Sequence, residues 1–152
     1  MYQCKHFRPE ELVPPEVFEE LKNDPWRLWM QFDDFFLMGL DLVREHFVVP
    51  ITINDYAFGG HTRQGVHEIW TRCGLRTYPL LSGESKWGMH QKGKGGDLHL
   101  KGVTAEQARQ EILKNKEKFC RLIRRMEKDV PWLHVDRGNY GDDPKMIYLI
   151  GP

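Results

Sequence analysis

The order of apolar and polar positions places helices in the first third of the chain and short strands later. Val13-Pro14-Pro15 opens a short helix carrying Val17, Phe18 and Leu21 on one side, proline being at home in a first turn whose N–H groups lack partners anyway. Asp24-Pro25 repeats the start signal as an N-cap followed by proline. Behind it Trp29, Phe32, Phe36, Leu40 and Val43 return at helical spacing, which predicts one long helix from Trp26 to Phe47. The β-branched run Val48–Ile53 reads as an edge strand because of Pro50. From Asn54 to Met89 the pattern dissolves into glycine, histidine and turn residues, a stretch long enough to suggest function. Asp97–Leu100 alternates and stops at Gly102. Thr104 and Gln107 form a capping box that opens a helix to about Lys128, with Ala108, Ile112, Phe119, Leu122, Ile123 and Met126 as its buried stripe. Strands follow at Trp132–Asp136 and Met146–Ile150, separated by a loop holding Gly138 and Gly141. With no regular βαβ repeat, the fold class is α+β in one domain spanning residues 1–152.

Composition narrows the function classes. The 22 basic and 22 acidic side chains cancel, which argues against a bulk electrostatic pull toward nucleic acid or anionic lipid. The apolar stretch from Phe35 to Leu42 is too short to span a membrane, and Asp33, Asp34 and Asp41 interrupt it. No apolar segment follows the first basic residues, so no secretory signal is expected. Cys4, Cys73 and Cys120 fit neither a zinc knuckle nor a redox pair, and they read as reduced filler. Seven histidines are the unusual stock.

Strand side chains alternate faces, so Asp97 and His99 share one face while Leu98 and Leu100 take the core. In the later strand Trp132, His134 and Asp136 share a face, opposite Leu133 and Val135. His90 precedes Asp97 by a glycine-rich turn able to fold it back over the strand. His90, Asp97 and His134 can therefore converge as two imidazoles and a carboxylate, a set that suits zinc with its fourth position left to water. The alternative is a group of ordinary surface or hydrogen-bonded residues. Other motifs fail: His67-Glu68 is followed by Thr71 where a zincin helix needs histidine, and Gly93-Lys94-Gly95-Gly96 lacks a phosphate loop's ending. There is no Gly-x-Ser-x-Gly elbow, and Cys73 and Cys120 carry no local nucleophile signature.

The run from His90 to Asp97, followed after one helix by Trp132-Leu133-His134-Val135-Asp136, resembles the Hedgehog/D-alanyl-D-alanine peptidase superfamily. Within it the chain is similar to small phage-type zinc peptidases related to D-alanyl-D-alanine carboxypeptidases. The Val-Pro-Pro helix, Ile51-Thr52-Ile53-Asn54, Gly59-Gly60 and Cys73-Gly74-Leu75-Arg76 fall in the expected order. The resemblance covers roughly residues 8–152. It implies a small, mainly antiparallel sheet packed with helices and Zn²⁺ on His90, Asp97 and His134. Arg76 would lie at the site, holding substrate or the charge that develops on the scissile carbonyl. The implied reaction is hydrolysis of peptide bonds in peptidoglycan stem peptides, as a carboxypeptidase or an endolysin-type endopeptidase, with substrate stereochemistry read by the loop between Asn54 and Met89.

Two positions depart from the family pattern. Gly88 stands where many members have serine, and Pro131 stands where many have the catalytic acid. Asp129 is the first replacement to consider, if the backbone between it and His134 stays extended, and Glu127 is the second. Asp136 fits an acceptor that orients a ligand histidine. His99 is an oxyanion stabiliser, a substrate contact or a surface residue. Pro131 also opens an alternative: a catalytically degenerate, zinc-containing phage structural or cell-wall-binding module. The expected partner is peptidoglycan, not nucleic acid or membrane, and the expected state is a monomer. Its place would be the host cytoplasm until lysis, or the virion.

Overall fold

A computed structural model describes residues 1–77, 88–139, 141 and 143–152. Three helices come first: α1 (Pro15–Leu21), α2 (Pro25–Trp29) and α3 (Asp34–Phe47). The long helix expected from Trp26 to Phe47 is thus two helices meeting at a break. Asp24 caps the first by accepting from Arg27 N, and Asp33 restarts the second by accepting from Phe36 N. The apolar spacing continues across the break, which is why periodicity alone misses it: Trp29, Phe32, Phe36, Leu40 and Val43 are all buried.

The break receives another part of the chain. Asp33 N–H donates to Gly93 O at 3.0 Å, and a Cβ on Gly93 would lie 1.9 Å from Gln31 O. Gly93 also has a left-handed φ of 62°, so two independent constraints require glycine there.

Among the described residues seven strands form two sheets. β1 (Ile51–Thr52), β4 (Gly95–Leu100), β6 (Leu133–Asp136), β5 (Arg125–Glu127) and β7 (Tyr148–Ile150) lie side by side in that order. All neighbours are antiparallel except β5 and β7. β1 is the expected edge strand, shortened because Val48 leaves α3 in a left-handed conformation. β2 (His61–Arg63) and β3 (Val66–Glu68) make a separate hairpin within the Asn54–Met89 region. His67 and Glu68 therefore sit on a strand, and the zincin helix is excluded. The part of the expected substrate-reading loop from 78 to 87 lies outside the described residues.

The helix expected to run to Lys128 stops early. α4 (Ala105–Lys114) ends at Asn115, the short α5 (Lys116–Phe119) follows, and Arg125–Glu127 is a strand. Phe119, Ile123 and Met126 are buried as the periodicity requires, but Phe119 ends α5, Ile123 lies in the loop after it and Met126 is on a strand. Three residues are too few for a period of two to stand out from the helical spacing before them, so the pairing with β6 and β7 leaves no local signal. The Thr104–Gln107 capping box is present as expected.

One sheet face is apolar and the other polar. Leu98, Leu133, Val135 and Met126 are at most 1% exposed and join Phe36, Leu37, Leu40, Ala108 and Ile112 in the core. Phe36 approaches β4 so closely that a Cβ on Gly96 would lie 3.2 Å from its ring. Helices cover this side, and each fully buried leucine contributes about 1.5–3 kcal/mol of transfer free energy. The opposite face carries Asp97, His99, Arg125, Glu127, His134 and Asp136.

Gly93→Ala and Gly102→Ala separate backbone strain from crowding. Both glycines have positive φ, but Gly102 faces open space. Gly102→Ala should cost about 1–3 kcal/mol in equilibrium urea unfolding from strain alone. Gly93→Ala should cost about 1–3 kcal/mol more, because Gln31 O stands in the way. Equal losses would show that the contact at the helix break is unimportant.

Candidate metal centre

Strand pairing assembles the cluster. Asp97 on β4 lies opposite His134 on β6, and the β5–β6 register, carried one residue further, sets Glu127 across from His134. Residues directly opposite in an antiparallel pair share a face. Asp97, His134 and Glu127 thus form one row across three strands. His90 arrives from the turn before β4, where Lys92 N and Lys94 N donate to Met89 O and Gly93 N donates to His90 O. Gly95 lets this turn lie on the strand, since a Cβ there would be 2.9 Å from Met89 Cβ.

His90, Asp97 and His134 are all buried, and one potential ligand atom from each lies within 4.8 Å of the others. His90 Nδ1 donates to Gly74 O at 2.6 Å, which turns Nε2 toward Asp97 Oδ1 at 3.4 Å. His134 Nε2 donates to Asp136 Oδ2 at 3.0 Å, leaving Nδ1 facing Asp97 Oδ1 at 2.7 Å. The expected ligands therefore meet, with His90 offering Nε2 and His134 offering Nδ1. Asp136 sits behind His134 as expected, and Gly74 O has the same position behind His90. Such backing of ligand imidazoles fixes tautomer and ring orientation at metal sites.

Gly74 is held in place from the other side. Leu75 N donates to Leu12 O, and a Cβ on Gly74 would lie 2.1 Å from that oxygen. The segment that presents the carbonyl therefore needs glycine. Two residues on, the expected Arg76 places Nη2 2.9 Å from Asp97 Oδ2, while its Nε donates to Arg72 O.

The electrostatics follow from this packing. Burial opposes the charged form of Asp97, but hydrogen bonds from His134 and His90 and their charges outweigh it, holding the carboxyl well below the usual carboxylate range. Burial also opposes a charged His134. Its hydrogen bonds to Asp136 and Asp97, with the Asp97 and Glu127 charges, overcome burial and push its pKa up to about 9. Asp136 is shifted down despite burial by His134, Arg125 and the Gly138 N–H. Burial and the Asp97 charge push the Cys73 thiol up to about 12, which argues against a thiolate nucleophile at neutral pH. None of the three cysteines is in a disulfide.

The two acids considered for catalysis are placed differently. Asp129 is exposed in the β5–β6 turn with a φ of 62°, so the extended backbone that would bring it onto the His134 face is absent. Glu127 is half-buried on that face, and its charge acts on His134. No residue type marked its strand in advance. Arg109, 4% exposed on α4, steadies the turn between them by donating to Glu127 O, Val130 O and Trp132 O. His99 stacks on Trp70 with ring centroids 3.6 Å apart, and His61 lies on Trp70 at 3.8 Å. Neither Trp70 nor His61 was singled out by spacing.

Comparison with protein-family models, curated proteins and solved structures finds no match to this chain. The two imidazoles and one carboxylate fit zinc on the chemistry of the donor set, and each imidazole has an acceptor behind it.

In the metal-free protein the raised His134 pKa contributes stability that is full below its ordinary value of 6.5 and is lost as pH rises through about 9. Zinc bound at this group would have to replace the proton on Nδ1. Apparent zinc affinity should therefore rise by about tenfold per pH unit from neutrality toward the raised pKa and then level off. Competition titrations with a chromophoric chelator at three pH values measure this. An affinity independent of pH would remove His134 from the ligand set.

Proposed function

We propose that the chain is a zinc-dependent peptidase of the Hedgehog/D-alanyl-D-alanine peptidase type, acting on peptidoglycan stem peptides. The observation that carries this reading is the buried His90–Asp97–His134 group, with Gly74 O and Asp136 behind its imidazoles. The five-stranded, mostly antiparallel sheet and the order of the sequence motifs support it. No helix among the described residues is long and apolar enough to cross a membrane. The proposed place of action is the cell wall, reached from the host cytoplasm at lysis or from the virion.

Zinc, when bound, would lower the pKa of its water and polarise the scissile carbonyl. The remaining roles fall to the chain. Arg76, held at Asp97 Oδ2, presents a guanidinium to the charge growing on the carbonyl oxygen. Glu127 takes the proton from the attacking water on a carboxylate oxygen and delivers it to the departing amine nitrogen. A C–O bond forms as the C–N bond breaks, so no further reactant is needed. Glu127 replaces the acid that Pro131 displaces, from the neighbouring strand instead of the same one.

Incubation of the zinc-loaded protein with muropeptides and cross-linked sacculi, followed by mass spectrometry of the products, tests the reading. Glu127→Gln should keep zinc affinity and lower turnover by about 10²–10⁴-fold, whereas Asp129→Asn should change it little. Full activity in Glu127→Gln would reject its role. A wild-type protein that holds zinc and retains sacculi without cutting them would instead be the degenerate wall-binding module.

A further inference from the structure

The geometry points to Arg125 as a positioning residue for the metal centre, acting through Asp136 on the His134 ring. This rests on the metal reading above and extends it to a residue that touches neither metal nor substrate.

Arg125 and Asp136 face each other across the β5–β6 register. Arg125 Nε donates to Asp136 Oδ1 at 2.8 Å and Nη2 donates to Oδ2 at 2.9 Å, a two-pronged fit of guanidinium to carboxylate. The remaining capacity of each oxygen is also used. Gly138 N–H donates to Oδ1 at 2.6 Å, and His134 Nε2 donates to Oδ2 at 3.0 Å. Asp136 is 1% exposed, so no solvent competes for these directions. Four donors determine the carboxylate plane, and that plane determines where the His134 ring points.

The chain beyond β6 is shaped around the same guanidinium. A Cβ on Gly138 would lie 2.3 Å from Arg125 Cζ, so a larger residue there would push the guanidinium away from Asp136. Without Arg125 the buried carboxylate would retain two donors, His134 and Gly138, and would be free to turn about its own bond. His134 Nδ1 would then lose its fixed direction toward Asp97 and His90. A lysine at this position would return the charge but not the two-pronged fit.

Cobalt(II) binding tests this independently of peptidase activity, through the dissociation constant and the visible absorption of the bound ion. Arg125→Met should weaken binding by about 10–100-fold and alter the visible bands, as expected when a partner behind a ligand is lost. Arg125→Lys should fall between Met and wild type, and it serves if the methionine variant does not fold by circular dichroism. The deciding measurement is the double variant with Asp136→Asn. If Arg125 works through Asp136, adding Arg125→Met to Asp136→Asn should produce no further loss, whereas a general structural role would add its full effect. Unchanged cobalt affinity and spectra in Arg125→Met and Arg125→Lys would overturn the inference, as would additive losses in the double variant. Failure of the wild-type protein to bind cobalt would instead overturn the metal reading itself.

Discussion

A carboxylate buried to 6% exposure near the middle of a sheet needs compensation, and the polar half of this protein is organised around supplying it to Asp97. Three elements contribute: Arg76 at Oδ2, and His134 and His90 at Oδ1. Each donor has a support of its own, whether Arg72 O, Asp136 or Gly74 O. Removing one member would leave the others as unpaired buried charges, which cost far more than a lost surface contact. The same dependence explains why so much glycine surrounds the site. Gly74, Gly93, Gly95 and Gly138 each occupy a place where a methyl group would meet a neighbouring atom within 3 Å.

The site was legible in the sequence where its chemistry is local. Asp97 and His134 stand on strands whose alternation is plain, and the glycines after His90 announce the turn. Glu127 and Arg125 were harder because their strand has one apolar residue and follows a helix whose spacing runs smoothly into it. Only pairing with β6 and β7 makes this segment extended, and pairing is a non-local property. The same reason hides the break between α2 and α3. Phe32 and Phe36 keep helical spacing, while part of what holds the break lies some sixty residues away, where Gly93 O accepts from Asp33 N–H. Asp129 shows the reverse error: counting along a strand fails when a left-handed residue turns the chain. His99 could be assigned to a face but not to a neighbour, since Trp70 reaches it from a region without periodic pattern.

The sheet separates two kinds of work. Its apolar face joins the helices in a core of residues at or near zero exposure, which resists rearrangement. Its polar face uses the resulting rigid surface to hold charged groups in register. A site built on paired strands is placed more accurately than one built on loops, and here only His90 and Arg76 come from outside the ladder.

The hydrogen bond from Arg76 N–H to His90 O, at 3.4 Å, ties together the two positions where the chain leaves the cluster and returns to it. The intervening stretch begins and ends at a clasp, so its length is not dictated by the cluster it flanks. Loop closure grows only logarithmically with length, about 0.6 kcal/mol per doubling. A change in the length of that stretch would therefore add little closure entropy at the clasp itself.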